Sequence, residues 1–209
     1  MILLNYTAIL VIKKQIKLLI LNVFKYNIYY SIEAMQTNVT LSKTTHPLLG
    51  IWDLYYHLPQ DKSWGLNSYQ IILSGINTVD TTILINESLP DKLIKHCMLF
   101  TMRNNVKPMW EDPSNCNGGC FSFKVSNKVV VDVWKELFYA MCGETLFKTK
   151  NMNNKVTGIT VSPKRNFCVV KIWMTDCSIK DPSTMIDINN LSKEGCLFKK
   201  HAEASSFKK

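Results

Sequence analysis

Two periodicities alternate along this chain. Across residues 49–58 apolar and polar positions alternate, with Trp52, Leu54 and Tyr56 on one face, which predicts a strand ended by Pro59. Tyr69, Ile71 and Leu73 predict a second strand, stopped by Ser74-Gly75. Residues 78–86 read as a short helix with Thr78 as its N-cap, against a β-branched content that lowers helix propensity. Residues 96–103 predict a strand with Asn104-Asn105 as its turn, followed by an extended loop closed at Asn117-Gly118-Gly119 and another strand at 120–126. The strongest helical period lies at 132–147, where Val133, Leu137, Ala140 and Met141 recur and Trp134 and Phe138 broaden the same side. Residues 156–162 and 167–174 predict two strands joined by the hairpin Pro163-Lys164-Arg165-Asn166, residues 183–191 a helix, and 195–200 a last short strand. Strands meeting through short turns, with about three helices between them, give an α+β fold with a largely antiparallel sheet.

The first 34 residues follow a different pattern. Apolar runs at 1–12 and 18–24 are split by Lys13, Lys14 and Lys17, and neither reaches the roughly 20 residues that span a bilayer, so no transmembrane segment is expected. Leu3, Leu4, Ile12, Ile16, Leu19 and Val23 fit one face of an amphipathic helix, packed on the domain or a partner, or lying on a membrane surface. Translation from Met35 would leave this segment out altogether. The polar run 35–45 reads as a linker. The expected organisation is therefore an apolar, basic extension with its linker at 1–45 and one folded domain at 46–209.

Composition narrows the partners. A formal charge of +9 in 209 residues raises the local concentration of polyanions such as RNA or an acidic membrane surface, although a basic surface kept for solubility carries the same charge. The seven cysteines are scattered without a CxxC pair, which argues against a disulfide framework and for a reducing compartment. Cys116 and Cys120 lie four apart, but no second pair closes a tetrahedral zinc site, and no metal or other cofactor is expected.

The candidate chemistry lies in Lys107-Pro108-Met109-Trp110-Glu111-Asp112, which sets an indole beside a carboxylate, with Trp64 upstream in a polar turn. Tryptophans usually fill cores, but these two fall in loops that leave what reads as one sheet. Two flat faces and one edge acceptor suit a flat cationic aromatic ligand. Lys164 and Arg165 at the hairpin tip would hold a phosphate chain if that tip lies near the tryptophans. No GxSxG, HExxH, Walker loop or GxGxxG accompanies them, so catalysis has no support.

His46-Pro47-Leu48 with Trp52, Lys62-Ser63-Trp64, Thr78-Val79-Asp80, the Pro-Met-Trp-Glu-Asp block with Gly118-Gly119, Trp134-Lys135-Glu136 running to Gly143-Glu144, Ile172-Trp173-Met174-Thr175 and His201-Ala202-Glu203 follow one another in a familiar order and spacing. In these segments residues 46–204 resemble the eukaryotic translation initiation factor 4E family, which binds the 7-methylguanosine cap of mRNA. The resemblance implies a curved, largely antiparallel sheet with helices on its convex face and the ligand on its concave face. It implies that the methylated guanine lies between Trp64 and Trp110, beside Met109, with Glu111 accepting from N1–H and the N2 amino group and the Trp110 N–H meeting O6. Trp173 would contact the methyl group, and Lys164 and Arg165 the triphosphate. The family's arginine after the Gly-Gly pair is replaced by Cys120.

For the family's scaffold-binding surface, His46, Pro47 and Val79 match, while Ile83 stands where a tryptophan is expected and Lys135, followed by Glu136, where a leucine is expected. The implied partners are capped mRNA and an initiation scaffold of the 4G type or a divergent substitute, in the cytoplasm. Translation initiation leads, a cap-binding repressor or divergent initiation protein is the alternative, and a cap-processing enzyme ranks last. The abundance of Asn, Ile and Lys suggests an AT-rich genome, as in a protist or a large DNA virus.

Overall fold

The computed structural model describes residues 46–58 and 61–202, together with Asn22. The amphipathic helix expected in the first 34 residues and the linker at 35–45 lie outside the described residues, as do Pro59 and Gln60. Cα proximity divides the chain into Met1–Thr44 and Thr45–Lys209, and the second unit holds the fold described below.

Seven strands, β1 (Pro47–His57), β2 (Gln70–Thr78), β3 (Met98–Arg103), β4 (Gly119–Ser126), β5 (Val156–Pro163), β6 (Phe167–Met174) and β7 (Leu197–Lys200), form one sheet in the order β2-β1-β3-β5-β6-β4-β7. Every pairing is antiparallel, and the sheet curves. Helices α1 (Val79–Ser88), α2 (Asp91–His96), α3 (Val130–Cys142) and α4 (Lys150–Asn153) complete the fold. Alternation along β1 sends Trp52, Leu54 and Tyr56 to one face, where all three are buried, and Tyr55 to the other. Helix α3 runs across β1 and β5 and buries Val133, Trp134, Leu137, Phe138 and Met141, while α1 packs against β2 and α2 against β3 and β5. On the open face Tyr55, Phe100, Met102, Val106 and Trp173 form a separate aromatic cluster with Tyr69, Met98 and Trp110 packed against it.

The expected stop at Ser74-Gly75 is a bulge instead. Strand β2 continues to Thr78 through Gly75, whose φ of 79° is a left-handed value that suits glycine, and the β1–β2 register shifts here. The buried Asp53 carboxylate braces the bulge, accepting from Ser74 Oγ at 2.6 Å, Gly75 N at 2.9 Å and Asn104 Nδ2 at 3.3 Å. Thr78 caps α1 as expected, its hydroxyl accepting from Thr81 N at 3.2 Å.

Two of the three expected helices differ in the structure, and α2 and α4 fall where the pattern predicts none. Helix α3 ends at Cys142 rather than near 147: Glu144 takes φ 51°, and Leu146 and Phe147 are buried as chain packed beneath the sheet rather than as helix. Phe147 bridges Met185, and Ile186 N donates to Leu146 O at 3.0 Å. That pairing also explains why no helix forms at 183–191, where only a single turn, Pro182–Thr184, is capped by Asp181. Met185, Ile188 and Leu191 are apolar because each is buried singly against the domain. All seven cysteines are free thiols.

Asp53 ties β1, β2 and the β3 turn through one buried carboxylate. Asp53→Ala strands these donors and is expected to lower stability by about 2–3 kcal/mol, read as a reduced urea midpoint at unchanged slope.

Candidate aromatic site on the open face

The loop between β3 and β4 is not extended, as its sequence suggested, but a succession of turns held by its own side chains. The Asp112 carboxylate accepts from Lys107 N and Ser114 N, each at 2.8 Å. Buried Asn115 spans the inside, its Nδ2 donating to Lys107 O at 3.0 Å and Met109 O at 2.9 Å. At the base of the loop, a Cβ on Gly118 would overlap the Met174 carbonyl, so the loop meets β6 where only glycine fits. These contacts fix the backbone that carries Met109, Trp110 and Glu111.

Trp64, Met109, Trp110, Glu111, Lys164 and Trp173 all line one cavity of about 390 Å³. Its floor is the sheet: Met98 and Phe100 from β3, Thr160 and Ser162 from β5, and Val169, Lys171 and Trp173 from β6. Trp64 is 44% exposed and its ring lies against buried His57, with centroids 4.3 Å apart and planes within 3°. His57 Nε2 donates to Ser63 O at 2.8 Å, which anchors the residue next to the indole it supports. His201 lies beside the Trp110 ring in a more offset, nearly parallel arrangement, at 6.5 Å and 16°. Trp173 is buried, and its Nε1–H donates to Thr160 Oγ1 at 2.6 Å.

Arg165 is the exception among the expected residues. It is exposed on the β5–β6 turn and does not line the cavity. Lys171 does line it, with its ammonium 5.7 Å from the Trp110 ring centroid and no ion-pair partner among the described residues. The alternation of β6 carried that signal, since Lys171 is two positions from Trp173 and shares its face. Tyr69, also unassigned from sequence, closes the cavity beside Trp64, and its hydroxyl is pushed up to about 12 by burial and by the Glu111 carboxylate.

His201 sits between Trp110 and Trp173, its Nδ1–H donating to Asn115 O at 2.8 Å. Burial holds its imidazole below the ordinary value, the Asn115 carbonyl opposes this, and the Lys171 ammonium adds to the lowering.

The residues matched to a scaffold surface lie elsewhere. His46 O accepts from Val79 N at 2.9 Å, joining the start of β1 to α1, on which Val79 and Ile83 are exposed one turn apart. Lys135 does not stand as a bare charge there: its ammonium pairs with Glu87 at 2.7 Å, and Tyr139 donates to the same carboxylate. Glu136 accepts from Asn189 N at 3.0 Å. Pro47 opens β1 opposite Thr78.

A family model described as Eukaryotic initiation factor 4E matches residues 47–209. The chain is 27% identical over 151 residues to the eukaryotic translation initiation factor 4E of Eremothecium gossypii, covering 68% of this chain and 69% of that protein. It is 38% identical over 87 residues to a eukaryotic translation initiation factor 4E homolog of Acanthamoeba polyphaga mimivirus, covering 42% of this chain and 29% of that protein. The fold is similar to that of C. elegans eIF4E-3, solved with the 4E-binding protein Mextli and a cap analog, at a TM-score of 0.65 and 20% identity over 78% of this chain and 96% of that one.

Because the folded pKa of His201 lies below the unfolded value near 6.5, the unfolded chain takes up the proton first, and native stability present above about pH 6.5 declines on acidification. His201→Phe, which keeps a flat ring between the tryptophans, is expected to flatten that decline in denaturant midpoints followed from about pH 8 to pH 5.

Proposed function

The chain belongs to the Eukaryotic initiation factor 4E family, and on that premise we propose that it binds the 7-methylguanosine cap of mRNA for translation initiation, in the cytoplasm and without catalysis. The observation that carries this reading is one cavity that brings together Trp64, Trp110, Glu111 and two lysines, Lys164 and Lys171. Residues 46–209 are taken as the cap-binding domain, with 1–45 as an extension and linker.

In this reading the two indoles take the faces of the base. Stacking contributes roughly 1–3 kcal/mol, and the charge that methylation places on the guanine adds about 0.5–2 kcal/mol through the ring quadrupoles. Glu111 accepts from N1–H and the N2 amino group, a pair of donors that adenine lacks at that edge. The Trp110 N–H takes O6, Met109 borders the base, and Trp173 meets the methyl group. Lys164 and Lys171 hold the triphosphate, with Arg165 further out where the chain leaves. Lys171 offsets the absence of a cation at Cys120, its neighbour on the open face. The structural relative named above was solved with a cap analog, which fits this assignment without extending it to particular residues.

A scaffold of the 4G type, or a divergent substitute, is the proposed protein partner, and the contact is assigned to His46, Pro47, Val79, Ile83, Lys135 and Glu136. The Lys135–Glu87 pair lessens the penalty of a lysine at that surface, while the missing tryptophan removes a common anchor. A cap-binding repressor or a divergent initiation protein is the second reading, favoured by Ile83 where a tryptophan is expected and Lys135 where a leucine is expected.

Titration of tryptophan fluorescence is expected to show quenching by 7-methyl-GTP at concentrations about tenfold or more below those needed for GTP. Equal affinity for the two would overturn the charge-based reading. Glu111→Gln keeps the shape but weakens the charge-assisted bonds, and a loss of about tenfold for the methylated ligand is expected. In a pulldown, a Tyr-x-x-x-x-Leu scaffold peptide is expected to bind weakly, and Ile83→Trp to strengthen it.

A further inference from the structure

The wall of the cavity continues into a second surface. Across the β4–β6 ladder Val169 stands opposite Lys124, Lys171 opposite Ser122 and Trp173 opposite Cys120, and Cys120 stands opposite Lys199 on β7. Residues directly opposed in an antiparallel ladder project from the same face. Lys124 and Lys199, both exposed, therefore share the open face with the cavity residues Val169, Lys171 and Trp173. Phe167, opposite Ser126, extends the row towards the hairpin tip, and the Lys124 ammonium lies 4.7 Å from its ring centroid. Phe167 is partly exposed, and Lys164 and Arg165 precede it on the exposed turn.

The charges on this strip are one-sided. Arg103, Lys135, Lys155 and Lys193 each hold a carboxylate, but Lys124, Arg165, Lys171 and Lys199 have no ion-pair partner among the described residues. A row of uncompensated cations with an aromatic ring among them is the footprint of single-stranded nucleic acid, in which phosphates meet ammonium groups and a base meets a ring face. An acidic peptide would satisfy the charges and leave the ring without a stacking partner.

We propose that the β6–β4–β7 strip, with Lys124 and Phe167 as its centre and Arg165 and Lys199 beside them, is a track for the RNA that follows the cap. This rests on the cap reading, since the cavity delivers the 5′ end and its cationic rim at Lys164 and Lys171 opens onto the strip. Lys124 resting on Phe167 is the unloaded arrangement. A backbone phosphate draws the ammonium off the ring, and a base of one of the first nucleotides takes the vacated face. Binding at this strip is independent of sequence, because every base has a face to stack and no edge is read.

The experiment compares 7-methyl-GTP with a capped oligoribonucleotide of about ten residues, on the full chain, at several salt concentrations. The wild type is expected to bind the capped oligonucleotide about tenfold more tightly than 7-methyl-GTP. Lys124→Gln combined with Phe167→Leu, which keeps apolar bulk in β6, is expected to remove most of that advantage while 7-methyl-GTP affinity stays within about twofold, which also reports an intact fold. Lys124→Gln alone is expected to reduce the salt slope for the oligonucleotide by about 0.7. Equal affinity of the wild type for the two ligands would overturn the track, as would equal losses for both ligands in the variants. Displacement of the capped oligonucleotide by a poly-glutamate peptide as efficiently as by uncapped RNA would assign the strip to acidic protein instead. If 7-methyl-GTP does not bind but uncapped RNA binds in a manner dependent on Lys124 and Phe167, the cap reading fails and the strip is an RNA site in its own right, not a track that follows a cap.

Discussion

An indole that offers a bare face to a ligand has to be held from behind, and much of the open side of this sheet serves that requirement. A tryptophan free to turn would bury its ring against the nearest apolar surface. Here Trp64, in a loop, lies against the imidazole of His57, itself buried at the end of β1 and hydrogen-bonded to the residue next to Trp64. Beside Trp110 lies His201, which is fixed by Asn115 from the same loop and packed on Trp173. Histidine suits both places. Its flat ring stacks on an indole, and one ring nitrogen ties it to a neighbouring carbonyl, so the supporting plane cannot rotate.

This arrangement links the site to the fold. Tyr55 lies on β1, against whose opposite face α3 packs, and with Phe100 and Trp173 it forms the cluster beneath the cavity. Asp53 keeps β1 and β2 in register through their bulge, and β1 carries His57. Disturbing the bulge therefore reaches Trp64 through β1 and His57, and reaches the cluster against which Trp110 packs through Tyr55, whose hydroxyl donates to Asp53 at 3.5 Å.

The sheet was legible in the sequence because a period of two, filled by β-branched and aromatic residues, suits a pleated strand and no helix, and the strands fall where that pattern put them. Glycine misled at Gly75, where a breaker in a strand pattern marks a bulge as readily as an end. The chain after α3 misled for a different reason. Leu146, Phe147, Met185 and Ile188 have a burial pattern set by pairing between distant segments, and a local period cannot express that. At the site, the block around Trp110 was legible as chemistry because an indole beside a carboxylate is informative by itself. The supporting histidines were not, since His57 and His201 acquire their roles from partners that only the fold supplies. Lys171 was readable from the alternation of β6 once Trp173 was assigned to the ligand face. Lys135, which looked like a charge set into an apolar surface, is compensated across helices by Glu87, 48 positions away in sequence.

Gly118, at the point where the tryptophan loop joins the sheet, sets how closely that loop can approach the neighbouring strand. The neighbouring strand leaves no volume for any side chain there, so this foot of the loop lies directly on the β6 backbone. The backbone that carries Trp110 is thereby pinned at one end by a position that tolerates no Cβ, whereas Trp64 is placed separately, through His57.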